Sequence, residues 1–462
     1  MKVNWLLRLY IYGSISTLVG PFYDNWASLE RYLYRSGVYY NQCNEEDPED
    51  GHKETWSCEK QHESVNMLLT VSRAAECAGS FLIGVLMDWE GPKITAVLGV
   101  VIRIIGWSLI GFLPHVNAAV IASFSMLGLS VNFIIIPALT VVSYAGKYRF
   151  FAVVQIGMFS CLSSMVLKLK MYILDSGKLT KEQINYMYTI FILLPCLAIS
   201  AYIFPWKIDR EKVGEDIEME VKKENVVLHQ QDGEYNENVA DATWTWSGLL
   251  RTLVEKEVFT CLIYFSFNFG SITFIQQIFS VIYADSPKLL SLIEYIIAFA
   301  FIPCCIMSVL FLYISPIWMM IGLNAIGGLM HVLAIMDSFA AGFIVSLCLM
   351  TTFCVLHTKV YNYLDQFLDG IYMGSIVGSL NTLCGVWLIV QGLLSKGHND
   401  PKVLRYINYG MLVGRILFLI PFLCFTFLIP KRIKRAQSVT SLSGGEGKLE
   451  SHASGTQIIK VV

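Results

Sequence analysis

Hydrophobic residues along this chain gather into long blocks broken at proline, glycine and charge clusters. Six blocks fall at roughly 5–34, 64–88, 94–113, 117–144, 149–174 and 186–206, and six more at roughly 256–283, 287–313, 317–336, 339–360, 368–394 and 404–429. A bilayer core about 30 Å thick needs about 20 helical residues, so each block predicts one crossing. The long first block is expected to project beyond the bilayer. The expected architecture is all-α and membrane-embedded, with twelve transmembrane helices in two six-helix bundles.

The polar stretches divide the chain accordingly. The N-terminal bundle takes 1–206, a charged and asparagine-rich linker 207–247, the C-terminal bundle 248–430, and a serine- and glycine-rich tail 431–462, read as disordered. Composition supports a membrane protein: 55% of residues are hydrophobic and 15% charged, against roughly 25% charged in soluble chains. The net charge of −2 gives no global basic field for nucleic acid. The first block continues past Gly20 with no small-residue cleavage site and reads as a permanent span. No asparagine glycosylation sequon is present.

Ten of the twelve cysteines lie in apolar blocks, where small polarizable thiols are at home. Cys43 and Cys58 flank a short acidic loop instead. They are expected to form a disulfide if that loop faces an oxidising compartment, and to be free thiols otherwise. The basic run KRIKR after Pro430 biases that end towards the cytoplasm. With twelve spans, both termini and the linker share the cytoplasmic side, as do Lys93 and the Lys147/Arg149 pair, and the Cys43–Cys58 loop lies outside. The cationic loop at 396–405 runs against that pattern.

The sharpest local signal is GVLMDWEGPK at 84–93. Gly84, Leu86, Asp88, Gly91 and Lys93 match the G-x-L-x-D-x-x-G-x-K/R loop of the major facilitator superfamily. Gly84 allows close helix approach, Gly91 a tight turn, and Asp88 can accept from amides at a neighbouring helix start. These residues, with Arg149, are the candidate gating loop. No second copy appears in the other half, where the corresponding turn YISPIWMM carries no charge.

Ionisable residues inside spans are functional candidates by default. Arg73 and Glu76, at i and i+3, are read as a mutually neutralising pair. Glu294 has no local cation; a pair with Arg415, a substrate ammonium or a proton are its open roles. Arg103 is unassigned, Lys168 and Lys170 are expected to snorkel to headgroups, and His331 is read as a packing residue.

A closer resemblance lies in WASLERYLYRSGVYYNQC (26–43), TWSCEKQHESVNMLLTV (55–71) and MDWEGPK (87–93), followed by ALTVVSYAGKYR (138–149), SCLSSMV (160–166), Gln276–Gln277 and GSIVG (374–378) with Gln391. Together they resemble solute carrier family 43, facilitative carriers of large neutral amino acids, and the related apicomplexan amino acid transporters. The match is strongest over 26–93. The central linker is shorter than in the animal members, and Glu30 and Arg31 stand where those are apolar. The resemblance implies a carrier moving an amino acid by alternating access, as uniport or exchange, with no cofactor. Its partners would be the substrate and the lipid bilayer. It would be a monomer in the plasma membrane, neither an enzyme nor a nucleic-acid binder.

An amino acid needs donors, acceptors and an apolar pocket near the midplane. Ser14, Thr17, Asn132, Ser160, Ser164, Gln276, Gln277, Glu294, Asn381 and Gln391 are the candidate substrate contacts, although such groups also simply bond neighbouring helices. A carrier of another small organic solute, facilitative or proton-coupled, and a nutrient sensor that binds without transporting are the alternatives. No P-loop supports ATP-driven transport, and the two loop cysteines lack the second ligand pair of a zinc site.

Overall fold

The computed structural model describes residues 4–43, 58–145, 148–207, 245–283, 286–310, 314, 316–336, 338–365, 372–395, 403–420 and 424. Most of the expected linker and the tail 431–462 lie outside these. The described residues contain helices and no strand, and every contact below lies within the compact unit Met1–Leu419.

Each hydrophobic block is helical where described and is numbered as a span, 1–12 in chain order; ten helices among the described residues are long and apolar enough to cross a membrane. Spans 3, 7, 9, 10 and 11 are single helices over Pro92–Phe112, Lys256–Ile282, Pro316–Leu333, Phe339–Asp365 and Met373–Ser395. Span 12 is Val403–Ile420. Span 2 changes register at Gly79, between Glu59–Ala78 and Ser80–Glu90. Span 4 runs Asn117–Ala138 and tightens to a 3-10 turn over Leu139–Tyr144, just after Pro137. Span 5 divides into Arg149–Cys161 and Ser163–Asp175, and span 8 into Pro287–Ala298 and Phe301–Leu310. Span 6 passes through a π turn, Thr189–Leu193, between Lys181–Tyr188 and Leu194–Ile203.

The first span departs most from the uninterrupted crossing expected. It breaks into Trp5–Val19 and Trp26–Arg35, joined by a 3-10 turn at Phe22–Asp24. Gly20 and Pro21 account for the break, since proline cannot donate to the preceding turn and restricts the residue before it. A broken helix inside a membrane must pair its freed backbone groups. Arg103, fully buried in span 3, donates to the carbonyls of Val19 and Gly20 and, at 3.4 Å, to Leu127. Tyr188 donates to Leu18, and the side chain of Asn25 accepts from the amide of Ser28, capping the second half. A cation where one helix ends is favoured by the helix dipole, so Arg103 holds the break together.

Lys170 does not reach for a surface. It is buried, with Nζ 3.5 Å from the ring centre of Trp107 and 3.6 Å from that of Tyr188. His331 packs as expected, fully buried against Asn408. Arg415 bonds Ser271 Oγ at 2.8 Å and the carbonyl of Asn268, so it serves span 7 rather than Glu294. Cys43 and Cys58 are disulfide-bonded, with Cα atoms 5.7 Å apart.

Candidate substrate site and its two closures

The break in span 1 opens onto a central cavity of about 60 Å³ between the two halves. Three ionisable side chains meet there. Arg73 of span 2 pairs with Asp24 of the span 1 turn at 2.7 Å and with Glu76 one turn further on at 3.0 Å. Tyr23 donates its hydroxyl to Glu76 at 2.9 Å. The guanidinium lies over the rings of Tyr23 and Phe353, at 4.7 and 5.2 Å. All three charges are buried, and the Nε of Arg73 has no partner among the described residues. Buried ions survive only when paired and hydrogen-bonded, and this set holds two carboxylates against one cation. Pro21, Asn132, Ser160 and Tyr361 share the cavity wall with Ile135, Leu139, Val153 and Ile156.

The expected contacts divide into groups. Ser160 lines the cavity, and Ser164 is buried close by on span 5 with its hydroxyl unpartnered among the described residues. Asn132 also lines it, donating to the carbonyl of Glu76 at 2.9 Å and to Ser80 Oγ at 2.6 Å, next to the register change in span 2. Asn381 of span 11 reaches Asn132 at 3.4 Å. Gln276 donates to the carbonyl of Asp24 at 2.8 Å, and Gln277 to Thr70 Oγ1 at 2.8 Å. Those two amides tie span 7 of the C-terminal half to spans 1 and 2. Thr17 bonds the carbonyl of Phe159, and Ser14 is exposed beside a lateral groove, bonding Tyr10. The side chain of Gln391 lies outside the described residues.

Glu294 sits away from the cavity, at the end that carries the disulfide. Buried in span 8, it is shared by Arg31 of span 1 and Lys168 of span 5, each at 2.6 Å. Ser28 donates to the same carboxylate at 3.3 Å, and Asn25 to the Glu294 carbonyl at 3.0 Å. Its partners are thus two cations of the N-terminal half. Lys168, expected at a headgroup, is spent here.

The opposite end is closed by the 84–93 loop. Asp88 accepts from the amide of Gly374 at 3.3 Å and from the amide and hydroxyl of Ser375 at 2.8 and 2.7 Å, at the start of span 11. That is a carboxylate on a helix N-terminus, where free amides and the dipole favour an anion. A Cβ on Gly84 would run into the carbonyl of Gly374, and one on Gly378 into that of Ser80. Spans 2 and 11 therefore meet backbone to backbone. Gly91 adopts φ +101°, and Lys93 donates its amide to Pro205 at 3.2 Å with Nζ 4.7 Å over the Trp206 ring. Arg149 and Lys207 line a second cavity of about 210 Å³ beneath Asp88.

Sequence reasoning missed Asp24 and therefore the acid–base–acid cluster. The signal was available: an aspartate inside an apolar block, immediately after Gly20–Pro21, is an intramembrane charge at a helix break.

No family model matches the chain. Cationic amino acid transporter 8 of Plasmodium berghei is 23% identical over 477 residues, covering 94% of this chain and 91% of that protein. Aromatic and large neutral amino acid transporter 5-3 of Toxoplasma gondii is 24% identical, covering 84% of this chain and 77% of its own length. Among solved structures, the human organic anion transporter MFSD10 superposes with a TM-score of 0.56 at 13% identity, over 90% of this chain and 97% of that one. The fucose:proton symporter FucP of E. coli gives 0.53 at 12%, over 90% and 98%. The fold is thus the twelve-helix major facilitator fold, and the chain is a multi-pass membrane protein. Its similarity over most of its length is to apicomplexan amino acid transporters.

Proposed function

We propose that this chain moves free amino acids across a membrane by facilitative alternating access, the 1–206 and 248–430 bundles rocking about the central cavity. The observation that carries this reading is the buried Asp24–Arg73–Glu76 cluster on a broken helix. An amino acid head group presents one ammonium and one carboxylate. The surplus carboxylate among Asp24 and Glu76 suits the ammonium, the unpartnered Nε of Arg73 suits the carboxylate, and the apolar wall from Ile135 to Ile156 suits a large side chain. The names of the relatives support the same substrate class.

The cavity of about 60 Å³ is less than half the size of the roughly 150 Å³ cavity that admits a benzene-sized ligand. Substrate must therefore enter as the halves part at one end, and binding must favour the closed arrangement enough to let them part at the other. Asp88 with Gly84, Gly91, Lys93 and Arg149 acts as the gate at one end, and Glu294 as the tie at the other. Ser160, Ser164, Asn132 and Asn381 complete the polar lining, and Gln276 and Gln277 hold span 7 against it. Basic residues beside the spans orient both termini to the cytoplasm and the disulfide outward, which fits the plasma membrane.

A second reading, proton-coupled transport, is favoured by the two buried carboxylates facing one guanidinium, since the surplus carboxylate can hold a proton. Vesicles containing the purified protein test both. Uptake of labelled leucine, phenylalanine or arginine, but not of sugars, is expected. An imposed pH gradient leaves accumulation unchanged under uniport and drives it under coupling. Binding without uptake would indicate a sensor, and uptake of sugars alone would overturn the amino acid reading.

A further inference from the structure

Three buried thiols converge beside the central cavity from both halves of the molecule. Cys161 ends the first helix of span 5, Cys304 lies in the second helix of span 8, and Cys354 in span 10. Their Sγ atoms all lie within 4.8 Å of one another. Cys161 and Cys354 also line the cavity that contains Arg73. The Cys304 thiol donates to the carbonyl of Cys354, at 3.3 Å, and the Cys354 thiol to that of Thr351, at 3.4 Å. Met158 packs against the cluster and brings a thioether, whose sulfur lies 3.3 Å from that of Cys305.

Isolated buried cysteines are ordinary small packing residues. Three from separate spans with sulfurs turned to a common point form a ligand set. A metal–sulfur bond of about 2.3 Å places three sulfurs about 4 Å apart around a trigonal centre, so a contraction of less than about 1 Å per pair closes the site. The three donors are all thiol sulfurs, which selects a soft ion over magnesium, calcium or manganese.

We propose that Cys161, Cys304 and Cys354 form a binding site for a soft d10 cation of the Cu(I) type, and that an ion held there clamps the two halves together. Each thiol that ligates as thiolate gives its proton to water, and the copper stays Cu(I), so no oxidant or reductant is involved. One ligand belongs to the N-terminal half and two to the C-terminal half, so the coordination sphere spans the surface along which the halves must slide. The clamp rests on the alternating-access reading; the site itself does not.

The test titrates the purified full-length protein anaerobically with Cu(I) against a chromogenic Cu(I) chelator. One tightly held equivalent is expected in the wild type and in Cys196→Ser. Binding should weaken by about a hundredfold in Cys304→Ser and in Cys354→Ser, at least what loss of a supporting outer-shell group costs. Should either variant fold poorly, maleimide labelling and peptide mapping of the wild type serve instead: Cu(I) should shield Cys161, Cys304 and Cys354. Unchanged affinity in a folded Cys304→Ser protein, protection confined to other cysteines, or a disulfide within the trio would overturn the site. For the clamp, Cu(I) should slow amino acid uptake by vesicles at least tenfold in the wild type and leave Cys304→Ser unaffected; equal uptake with and without bound copper would overturn it. A protein that transports no amino acid would fail the transport reading and still give the binding result.

Discussion

The two ends of the molecule are tied by different physics. At the disulfide end the halves are joined through one carboxylate, Glu294, shared between the long side chains of Arg31 and Lys168. At the other end Asp88 holds the helix start of span 11, and the contact continues as glycine on glycine between spans 2 and 11. Ion pairs on flexible stems form and break without moving backbone, and part of the Arg31 and Lys168 side chains is exposed, at 30% and 21%. A capped helix terminus with small-residue packing is rigid and works only at one register. The disulfide end is thus suited to gradual opening and the Asp88 end to an all-or-none step.

The comparison breaks most sharply at the rigid end. Gly84→Val puts a branched side chain into the carbonyl of Gly374. Forcing such bulk costs about 1–3 kcal/mol and removes the contact itself, so uptake should fall to background at matched expression. Near-normal uptake would show that spans 2 and 11 need not touch.

The next largest effect belongs to the disulfide. Cys43 and Cys58 are 15 residues apart, and closing such a loop contributes about 3 kcal/mol in the chain-entropy estimate. The paired Cys43→Ser, Cys58→Ser protein should unfold at clearly lower temperature in detergent, with the Asp88 end unaffected. An unchanged midpoint would mean that the segment between them is ordered by other contacts.

Glu294→Gln should come third. It leaves two cations facing a neutral amide, and a hydrogen bond to a charged group contributes about 1.5–3 kcal/mol; partial exposure of both cations draws the expected loss to the lower part of that range. Raising the salt concentration should narrow the gap between wild type and variant, because the pair is partly screened. A gap that salt does not touch would argue for packing rather than charge.

The smallest effect is expected from Asp88→Asn, which keeps an acceptor and loses the charge at the start of span 11. An anion there contributes about 0.3–1 kcal/mol, so folding and surface expression should hardly change while uptake slows several-fold. Equal rates at equal expression would separate Asp88 from the transport step, although it would still cap span 11.

How much of this was legible beforehand depends on the distance over which each feature is decided. Every block of hydrophobicity became helical because a helix in lipid must satisfy its own backbone bonds, a condition met along most of the chain with no knowledge of neighbours. The loop at 84–93 was readable because its glycines, aspartate and lysine fall within ten residues, although their partners Gly374, Ser375 and Pro205 lie far along the chain. Arg73 and Glu76, one turn apart, were correctly paired. Glu294 was assigned Arg415 as one possible partner and instead holds Arg31, 263 residues away, and Lys168. Lys170 was sent to the headgroups and lies buried under two aromatic rings.

What the sequence by itself determined is the order and approximate length of the apolar helices, the tight turn at 84–93, and which residues carry charge into the apolar blocks. Which of those charges meet was decided only by the tertiary structure. Asp24 joins Arg73 because Gly20 and Pro21 break span 1 at the depth where span 2 presents its guanidinium, and because Arg103, from a third span, pays the electrostatic cost of the exposed carbonyls. The gathering of Cys161, Cys304 and Cys354 has the same origin. Hydropathy is a local property summed along one helix, whereas the pairing of buried polar groups depends on the rotation and depth of several helices at once.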